Sequence, residues 1–254
     1  LSGLYLPGRK RHLKMSTVAI DLHMHSVLSP CGDLGMTPNN IVGMALLKEV
    51  DYIALTDHNT AKNLPALFEV AKGEGLCVLP GIEVTTREEA HILAYFDTLE
   101  GAMELDAILY EHLPDIPNKP DYFGPQYILD AEDEITGEVD KLLISATDIG
   151  IDELAETVKP LGGIIVPAHI DRKSYSIMVS LGFIPPDLPV KTVELSKATT
   201  VEEAKKKFRF FREYQFIHGS DAHQLEDMAE REYFIDLPDL RKSTLIEYLG
   251  GAAK

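Results

Sequence analysis

Short apolar segments alternate with helix-like segments along most of this chain. The apolar segments have the pattern of strands, and they include residues 18–20, 52–57, 76–85, 91–96, 162–169, 192–196 and 216–223. The segments near 61–74, 151–161 and 201–213 have the pattern of helices. Alternation of this kind favours parallel strands joined by crossover helices, and therefore an α/β fold. A length of 254 residues, 45% of them hydrophobic, is enough for one barrel-sized domain.

Side chains of the kinds that bind metal ions recur where these strands end. They are Asp57, His58, Glu83, His169, Asp221 and His223. In a β/α barrel these strand ends form one face, and active sites lie on that face. Each residue taken singly could be a hydrogen-bonded structural side chain. However, six of the nine histidines lie beside predicted strands, at positions 23, 25, 58, 91, 169 and 223, and this joint occurrence predicts a metal centre.

The stretch DLHMHS, residues 21–26, follows the first of these strands. Side chains alternate along an extended chain, so His23 and His25 share a face with Asp21, while Leu22 and Met24 take the other face. Same-face neighbours are about 6.5–7 Å apart along a strand, which lets both imidazoles reach one ion. Two hydrogen-bonded structural histidines are the alternative for this motif taken alone.

Several features predict a soluble, cytoplasmic protein. No segment approaches the roughly 18 consecutive apolar residues that a membrane span requires, so no membrane partner is expected. The two cysteines, Cys31 and Cys77, do not suggest a disulfide framework, which favours a reducing compartment. Residues 1–16 carry a basic cluster and are predicted to be a tail or a leader, which leaves 17–254 as the folded domain.

The chain is strongly acidic, with a formal net charge of −17 from 24 basic and 41 acidic residues. Non-specific binding to nucleic acid depends on many contacts from Lys and Arg to phosphates. The charge therefore argues against long nucleic acid as a partner and, among phosphorylated molecules, favours a small phosphorylated substrate. The segment 97–150, with 14 acidic and two basic residues, concentrates this charge and is expected near the barrel mouth.

Five motifs, DLHMHS, ALTDHNT, LPGIEVT, VPAHID and GSDAH, resemble in order and separation those of PHP domains, the polymerase and histidinol phosphatase family. The resemblance covers about residues 18–223. It implies a distorted seven-stranded (β/α) barrel. Within that barrel, residues 97–150 are predicted to be an acidic insertion between strands 4 and 5, and this insertion is either a lid or a surface elaboration. It also implies up to three divalent metal ions, and Zn, Mn or Fe are the expected cofactors.

Carried over position by position, the resemblance implies three sets of ligands. The first ion would be bound by His23, His25, Glu83 and Asp221, the second by Glu83, His91 and His169, and the third by His58, His223 and a side chain of the loop after His25. That loop offers Cys31 and Asp33. Asp33 is the preferred ligand because an oxygen suits a hydrolytic site with exchangeable ions, whereas Cys31 would bind Zn well.

Two ions that share a carboxylate can hold a bridging hydroxide and also bind the oxygens of a phosphoryl group. The predicted activity is metal-dependent hydrolysis of a phosphomonoester, a nucleotide or a short oligonucleotide. Arg172 and Lys173 would bind the phosphate and Arg172 would stabilise the transition state, with a solvated loop as the alternative. Asp21 and Asp57 adjoin ligand histidines and are predicted to orient them or to relay a proton. Asn59 is a candidate substrate-binding residue.

Two other classes of protein fit parts of the pattern. An amidohydrolase also begins with HxH on its first strand, but its two-metal form uses a bridging lysine at the end of the fourth strand, and HILAYF contains none. A non-catalytic or regulatory PHP module, of the kind that accompanies a polymerase, is the second alternative. The nearly complete ligand set favours an active enzyme. The oligomeric state is left open.

Overall fold

The computed structural model describes residues 15–207 and 213–251. Residues 1–14 of the predicted tail or leader lie outside the described residues, as does 208–212 of the predicted charged helix. The described strands are β1 (Ser16–Asp21), β2 (Tyr52–Leu55), β3 (Cys77–Thr85), β4 (His91–Phe96), β5 (Tyr127–Leu129), β6 (Ile135–Glu138), β7 (Gly163–Pro167), β8 (Thr192–Leu195), β9 (Gln215–His218) and β10 (Phe234–Leu237). The described helices are α1 (Pro38–Leu47), α2 (Leu64–Val70), α3 (Leu99–His112), α4 (Pro120–Phe123), α5 (Ile151–Val158), α6 (Ile177–Ser180), α7 (Val201–Lys207) and α8 (Lys242–Leu249). None of the described helices combines the length and the hydrophobicity that a bilayer-spanning segment needs.

The main sheet has six strands in the order β10-β1-β2-β3-β4-β7. β1, β2 and β3 are parallel, but β4 is antiparallel to both β3 and β7. The connection 86–90 between β3 and β4 is too short for a helical crossover, so the chain turns back on itself. The expectation of parallel strands is therefore wrong for β4. The reversal puts His91, the first residue of β4, opposite Thr85 at the carboxyl end of β3.

Two further strands close the curled sheet into a distorted barrel. β8 and β9 pair in parallel. A backbone hydrogen bond of 3.0 Å from Ile170 N to Glu194 O joins the end of β7 to β8, and one of 2.9 Å from His25 N to Ala222 O joins the segments after β1 and β9. Seven of the described strands, β1 to β4 and β7 to β9, thus surround one interior. The α/β barrel predicted from the sequence is confirmed.

Two apolar clusters support the barrel. One fills its interior with side chains from successive strands, such as Ile20, Tyr95 and Val166, and includes Leu245 and Leu249 of α8. The other lies between the strands and helices α1, α2, α3 and α5. Because both faces of the strands are buried, the strands are rigid supports for the polar side chains at their ends.

Residues 97–150, predicted as an acidic insertion, divide into two parts. α3 packs against β3 and β4 and buries Leu105 and Leu109 in the core, so it occupies the position of a barrel helix. α4 and the β5–β6 hairpin follow, and this second part packs beside the loop after β1, where Leu28 and Leu143 share an apolar cluster. The second part therefore borders the carboxyl ends of the strands. A role as an insertion or a lid stays a prediction.

Candidate metal centre

Glu83 occupies the middle of a histidine cluster at the carboxyl ends of the strands. It lies on β3 and is 1% exposed. Five imidazole nitrogens approach its carboxylate: Oε1 lies 3.2 Å from His23 Nε2, 3.0 Å from His91 Nδ1 and 3.2 Å from His169 Nε2, and Oε2 lies 3.4 Å from His25 Nε2 and 3.1 Å from His58 Nδ1. One carboxylate thus faces side chains from the ends of four other strands.

Asp221 and His223 complete the cluster from the segment after β9. Asp221 Oδ1 lies 3.3 Å from His23 Nε2 and 3.1 Å from His25 Nε2. The His223 and His25 rings are stacked, with 4.3 Å between their centroids. Asp221 has a φ of 50° and His169 a φ of 28°, which are strained values for residues with side chains. Such strain persists where the surrounding structure enforces it, and it is concentrated at functional sites.

The described side chains form three groups that could each hold a metal ion. They are His23, His25, Glu83 and Asp221; His58, Glu83 and His91; and His25, His58 and His223. The first group is the set implied for the first ion. In the second, Glu83 recurs as a bridging carboxylate would, and His58 replaces His169, although His169 Nε2 is also 3.2 Å from Glu83. In the third, His25 occupies the place expected for a loop residue.

The residues of this cluster fit divalent metal ions. Three of its buried polar atoms, His58 Nδ1, Glu83 Oε2 and His169 Nδ1, make no hydrogen bond of acceptable geometry, although the first two lie 3.1 Å apart. A buried polar atom without a partner costs about 1–3 kcal/mol, so such atoms rarely converge unless something else binds them. Imidazole nitrogens combined with carboxylate oxygens suit Zn, Mn or Fe. Which ions bind, and how many, stays a prediction.

Hydrogen bonds decide which ring nitrogen of the first two histidines faces the cluster. His23 Nδ1 donates to Glu194, 2.9 Å from Oε2, and His25 Nδ1 donates to Ser29 Oγ at 3.1 Å. We place the protons on Nδ1 because Glu194 only accepts and Ser29 already donates to Asp57. Nε2 of both rings then faces the cluster, and in the neutral ring it carries the free lone pair that a metal ligand requires.

Burial and neighbouring charges shift the pKa values in the cluster. Burial opposes a charge on Glu83, but His91 lowers the pKa of this carboxyl group well below its usual range, so the group is ionised. Burial lowers the pKa of His58 to about 3, and His25 adds to the shift, so this imidazole is neutral. Burial opposes a proton on His25, yet Asp221 and Glu83 raise its pKa to about 9. A ligand nitrogen must lose its proton, so metal affinity is expected to rise with pH.

Asp33, in the loop after His25, does not lie among the possible metal ligands. Asp33 is exposed, and its Oδ1 accepts a hydrogen bond from Gly35 N at 2.8 Å. Cys31 and Asp33 both lie outside the three groups found among the described residues. The geometry therefore does not support Asp33 as a metal ligand, because its carboxylate caps the turn in which it lies.

Asp57 holds the loop after β1 and does not contact the cluster. Its carboxylate accepts hydrogen bonds from Ser26 N at 2.7 Å, Ser26 Oγ at 2.6 Å and Ser29 Oγ at 2.7 Å. Because Ser29 accepts from His25, Asp57 acts on that ring through one intermediate hydroxyl. This arrangement fits the expected orienting role and does not fit a catalytic residue.

Asp21 likewise holds a backbone segment. It accepts hydrogen bonds from Ser220 N at 3.0 Å and from Ala229 N at 2.8 Å. These bonds position the segment that carries Asp221. The geometry supports a positioning role for Asp21 and not the predicted catalytic one.

Arg172 reaches the centre, whereas Lys173 does not. Arg172 lines a cavity of about 130 Å³ beside the cluster, and its Nη1 contacts Asp221 Oδ2. Its side chain is 42% exposed. Lys173 follows it on the exposed surface of the loop and does not line this cavity.

Asn59, the third predicted substrate-binding residue, is buried, and its side chain makes hydrogen bonds to the backbone. Its side-chain amide donates to Leu143 O at 2.7 Å and to Ser145 O at 3.0 Å, and its Oδ1 accepts from Thr85 N at 3.0 Å. All its side-chain polar atoms are therefore engaged. Asn59 joins β3 to the segment before α5, and the geometry does not support contact with a substrate.

Glu194 is a member of the centre that sequence patterns did not reveal. It lies on β8, is 1% exposed, and accepts hydrogen bonds from His23 Nδ1 and from His169 N, both at 2.9 Å. It therefore orients two predicted ligands. The available signal was an acidic residue inside the apolar strand TVEL, since an acid is rarely buried without a partner.

Gly219→Ala is expected to destabilise the centre. An added Cβ would lie 2.0 Å from Glu194 Oε1 and 2.6 Å from His23 Cβ, so these packed side chains would have to shift. Overpacking of this kind costs about 1–3 kcal/mol of unfolding free energy, which urea unfolding would measure. Gly43→Ala in α1 is the control, since nothing lies within 4 Å of its added Cβ. A Gly219→Ala protein as stable as the wild type would contradict this prediction.

Among proteins of known activity, the chain is similar to the 5'-3' exoribonuclease Rnm of Salmonella typhimurium, with 37% identity over 76 residues. The aligned part covers 29% of this chain and 25% of that protein. The same enzyme of Escherichia coli matches to the same extent. The chain thus spans about a quarter of the length of these relatives.

The fold is similar to that of endonuclease Q from Pyrococcus furiosus. The TM-score is 0.73 at 18% identity, over 94% of this chain and 57% of that chain. Endonuclease Q in complex with a 27-mer duplex substrate that carries an abasic lesion matches with a TM-score of 0.69 at 19% identity, over the same shares of both chains. At these identities the similarity shows a common fold.

The prediction that argued against long nucleic acid as a partner is contradicted by these relatives. A protein with this fold binds a 27-mer duplex, and a relative in sequence is an exoribonuclease. Formal net charge was the wrong criterion because it is the sum of all charged residues, wherever they lie on the surface. A phosphate at the site senses mainly charges within about 10 Å, the Debye length at 0.1 M salt. Arg172 supplies positive charge at the cavity, whatever the sum over the chain.

The PHP domain family model matches residues 21–170. This segment is more than half of the 254 residues and runs from the end of β1 to just beyond His169. It contains the motifs that carry His23, His58, Glu83 and His91. The chain therefore belongs to the PHP domain family, as its motifs predicted.

Proposed function

We propose that this chain is a metal-dependent phosphoesterase that hydrolyses phosphodiester bonds in nucleic acid. The observation that carries the proposal is the position of Glu83, whose ionised carboxylate faces five imidazole nitrogens beside an open cavity. A carboxylate shared by two groups of histidines suits a pair of divalent ions, and phosphoester hydrolysis is a reaction that such pairs support.

The three groups at the centre would bind two or three ions of Zn, Mn or Fe. When bound, such ions generate a nucleophile at neutral pH and neutralise charge on the phosphoryl oxygens. Glu83 would be shared between two of the sites. Glu194 and Ser29 keep the protons of His23 and His25 on Nδ1, so that each Nε2 is free to bind an ion.

Arg172 would bind the phosphoryl group in the cavity. Its guanidinium contacts Asp221 at the edge of the cluster and is accessible to solvent. A guanidinium binds phosphate oxygens through two parallel hydrogen bonds, and its charge opposes the charge that develops on those oxygens in the transition state. The position of Arg172 thus supports a phosphate ester as the substrate.

Nucleic acid is the proposed substrate because one relative is an exoribonuclease and one protein of the same fold binds a 27-mer duplex. Hydrolysis of nucleotides or other small phosphomonoesters is the alternative for the same residues. The two activities differ in whether an internal phosphodiester bond is cleaved, and one substrate panel separates them.

The protein expressed separately with Zn, Mn and Fe is expected to bind at least two equivalents of metal and to degrade 5'-phosphorylated RNA or DNA oligonucleotides. Metal analysis and gel analysis of single-stranded and duplex substrates would measure both, with nucleoside monophosphates in parallel. A chelator should abolish the activity, and added metal should restore it. Less than one equivalent after metal-supplemented expression would contradict the metal centre, and full metal content without turnover would favour a non-catalytic module.

A further inference from the structure

Tyr175 forms part of the wall of the cavity beside the metal centre. Its ring is stacked on the His91 ring, with 4.9 Å between the centroids and 18° between the planes. His91 covers one side of the tyrosine, yet the residue is 53% exposed. A large aromatic surface is therefore open to solvent at the place where a substrate would enter.

The backbone holds Tyr175 in a conformation that is unusual for an aromatic residue. Its φ of 54° lies in the left-handed region, which side chains of this size rarely adopt. Two hydrogen bonds maintain it: Tyr175 O accepts from His91 N at 2.8 Å, and Ser176 Oγ donates to Arg172 O at 3.0 Å. Ser176 also caps α6, which anchors the end of the loop. The fold thus sustains local strain at a position that presents an aromatic ring to the cavity.

Tyr175 shares this loop and this cavity with Arg172. A guanidinium binds phosphate and an aromatic ring stacks on a nucleobase, so the loop offers one partner for each half of a nucleotide. We propose that Tyr175 is the stacking surface for the nucleobase adjacent to the phosphate at the metal centre. The base must then be unstacked from its neighbours, as in a single strand or at a strand end. This inference rests on the proposed function.

A purely structural role would give a different pattern of effects. If Tyr175 only supported His91, its loss would weaken metal binding and would reduce the turnover of every substrate equally. A stacking surface affects only substrates that carry a base. A comparison of substrates that carry a base with substrates that lack one therefore distinguishes the structural role from the stacking role.

Fluorescence tests stacking without reference to activity. The chain contains no tryptophan, so Tyr175→Trp introduces a single tryptophan in the cavity wall, and its emission can be excited selectively over that of the tyrosines. In the zinc-loaded protein, a phosphorothioate dinucleotide, which resists hydrolysis, should quench its emission saturably, and the abasic counterpart should not. Tyr122→Trp is the matched control, because Tyr122 is 80% exposed and does not line this cavity. Equal responses to both ligands, or no response to either, would overturn the proposal.

Kinetics supply the second test. Tyr175→Ala should raise KM for a short oligonucleotide about tenfold, as expected for the loss of one base–aromatic stack, with little change in kcat. KM for an oligonucleotide abasic at that position should not change, and Tyr175→Phe should behave as the wild type. If both substrates lose activity equally and zinc content falls, Tyr175 positions His91 and the proposal is wrong. If the wild type cleaves neither substrate, the proposed function fails, while the fluorescence titration still decides whether a base stacks on this residue.

Discussion

Glu83→Gln is expected to abolish hydrolysis and to lower the metal content of the protein by at least one equivalent. The substitution removes the negative charge that two groups of ligands share, and it turns an amide toward imidazole nitrogens that approach within 3.0–3.4 Å. Loss of a bridged pair of ions removes several kcal/mol of transition-state stabilisation, so kcat/KM should fall more than about 10³-fold. Metal analysis and turnover of a 5'-phosphorylated oligonucleotide would measure the two effects.

Arg172→Ala is the comparison for this experiment. It removes one charged contact to the substrate and leaves the groups of possible ligands intact. Its expected loss is about 10²-fold with metal content retained, as for a single stabilising donor. If Arg172→Ala is as inactive as Glu83→Gln, then Arg172 acts closer to the chemistry than proposed. If Glu83→Gln retains both metal and activity, Glu83 does not bridge ions.

Glu194→Gln is expected to weaken metal binding about 10–100-fold, the usual effect of losing a partner that orients a histidine ligand. Its carboxylate fixes the Nδ1 proton of His23 and accepts from His169 N, so the neutral amide would loosen two predicted ligands at once. Titration with zinc against a competing chelator would measure the affinity.

Glu194→Ala should have a larger effect than Glu194→Gln. It leaves His169 N and His23 Nδ1 buried without an acceptor, which costs about 1–3 kcal/mol for each group. Glu111→Gln is the control, because it removes one negative charge at an exposed position on α3. It should alter neither stability nor zinc affinity. If Glu194→Ala binds zinc as tightly as the wild type, the ring orientation of His23 does not depend on this carboxylate.

The strands were predictable because they depend on local patterns, and the family was predictable because five motifs resemble those of PHP domains. Apolar runs followed by polar residues marked β2, β3, β7 and β9 within a few residues of their observed bounds. The start of α1 follows the same local rules, since Thr37 accepts from Asn40 N as an N-cap and Pro38 follows it in the first turn. These signals arise between residues that are close in the sequence, so they can be recognised from the sequence alone.

The structure differs from the expectations at contacts between residues that are distant in the sequence and at side chains whose direction a turn decides. Asp33 and Asn59 have the chemistry of site residues, but a turn directs the first to Gly35 N and the second is engaged by Leu143 O. Glu194 lies 171 residues from His23, and only strand order and barrel closure bring them together. Net charge also led to the wrong prediction about long nucleic acid, because it carries no information about where charges lie relative to the cavity.

By itself the sequence determined an α/β pattern with histidines and acids at its strand ends, because side-chain periodicity and turn residues act over a few positions. The PHP family and its barrel followed from the resemblance of five motifs. The tertiary structure decided which of these side chains meet. The antiparallel turn into β4 brings His91 to the carboxylate of Glu83, and the closure between β9 and β1 brings Asp221 to His23. Both depend on backbone pairing between distant segments, which local propensity does not specify.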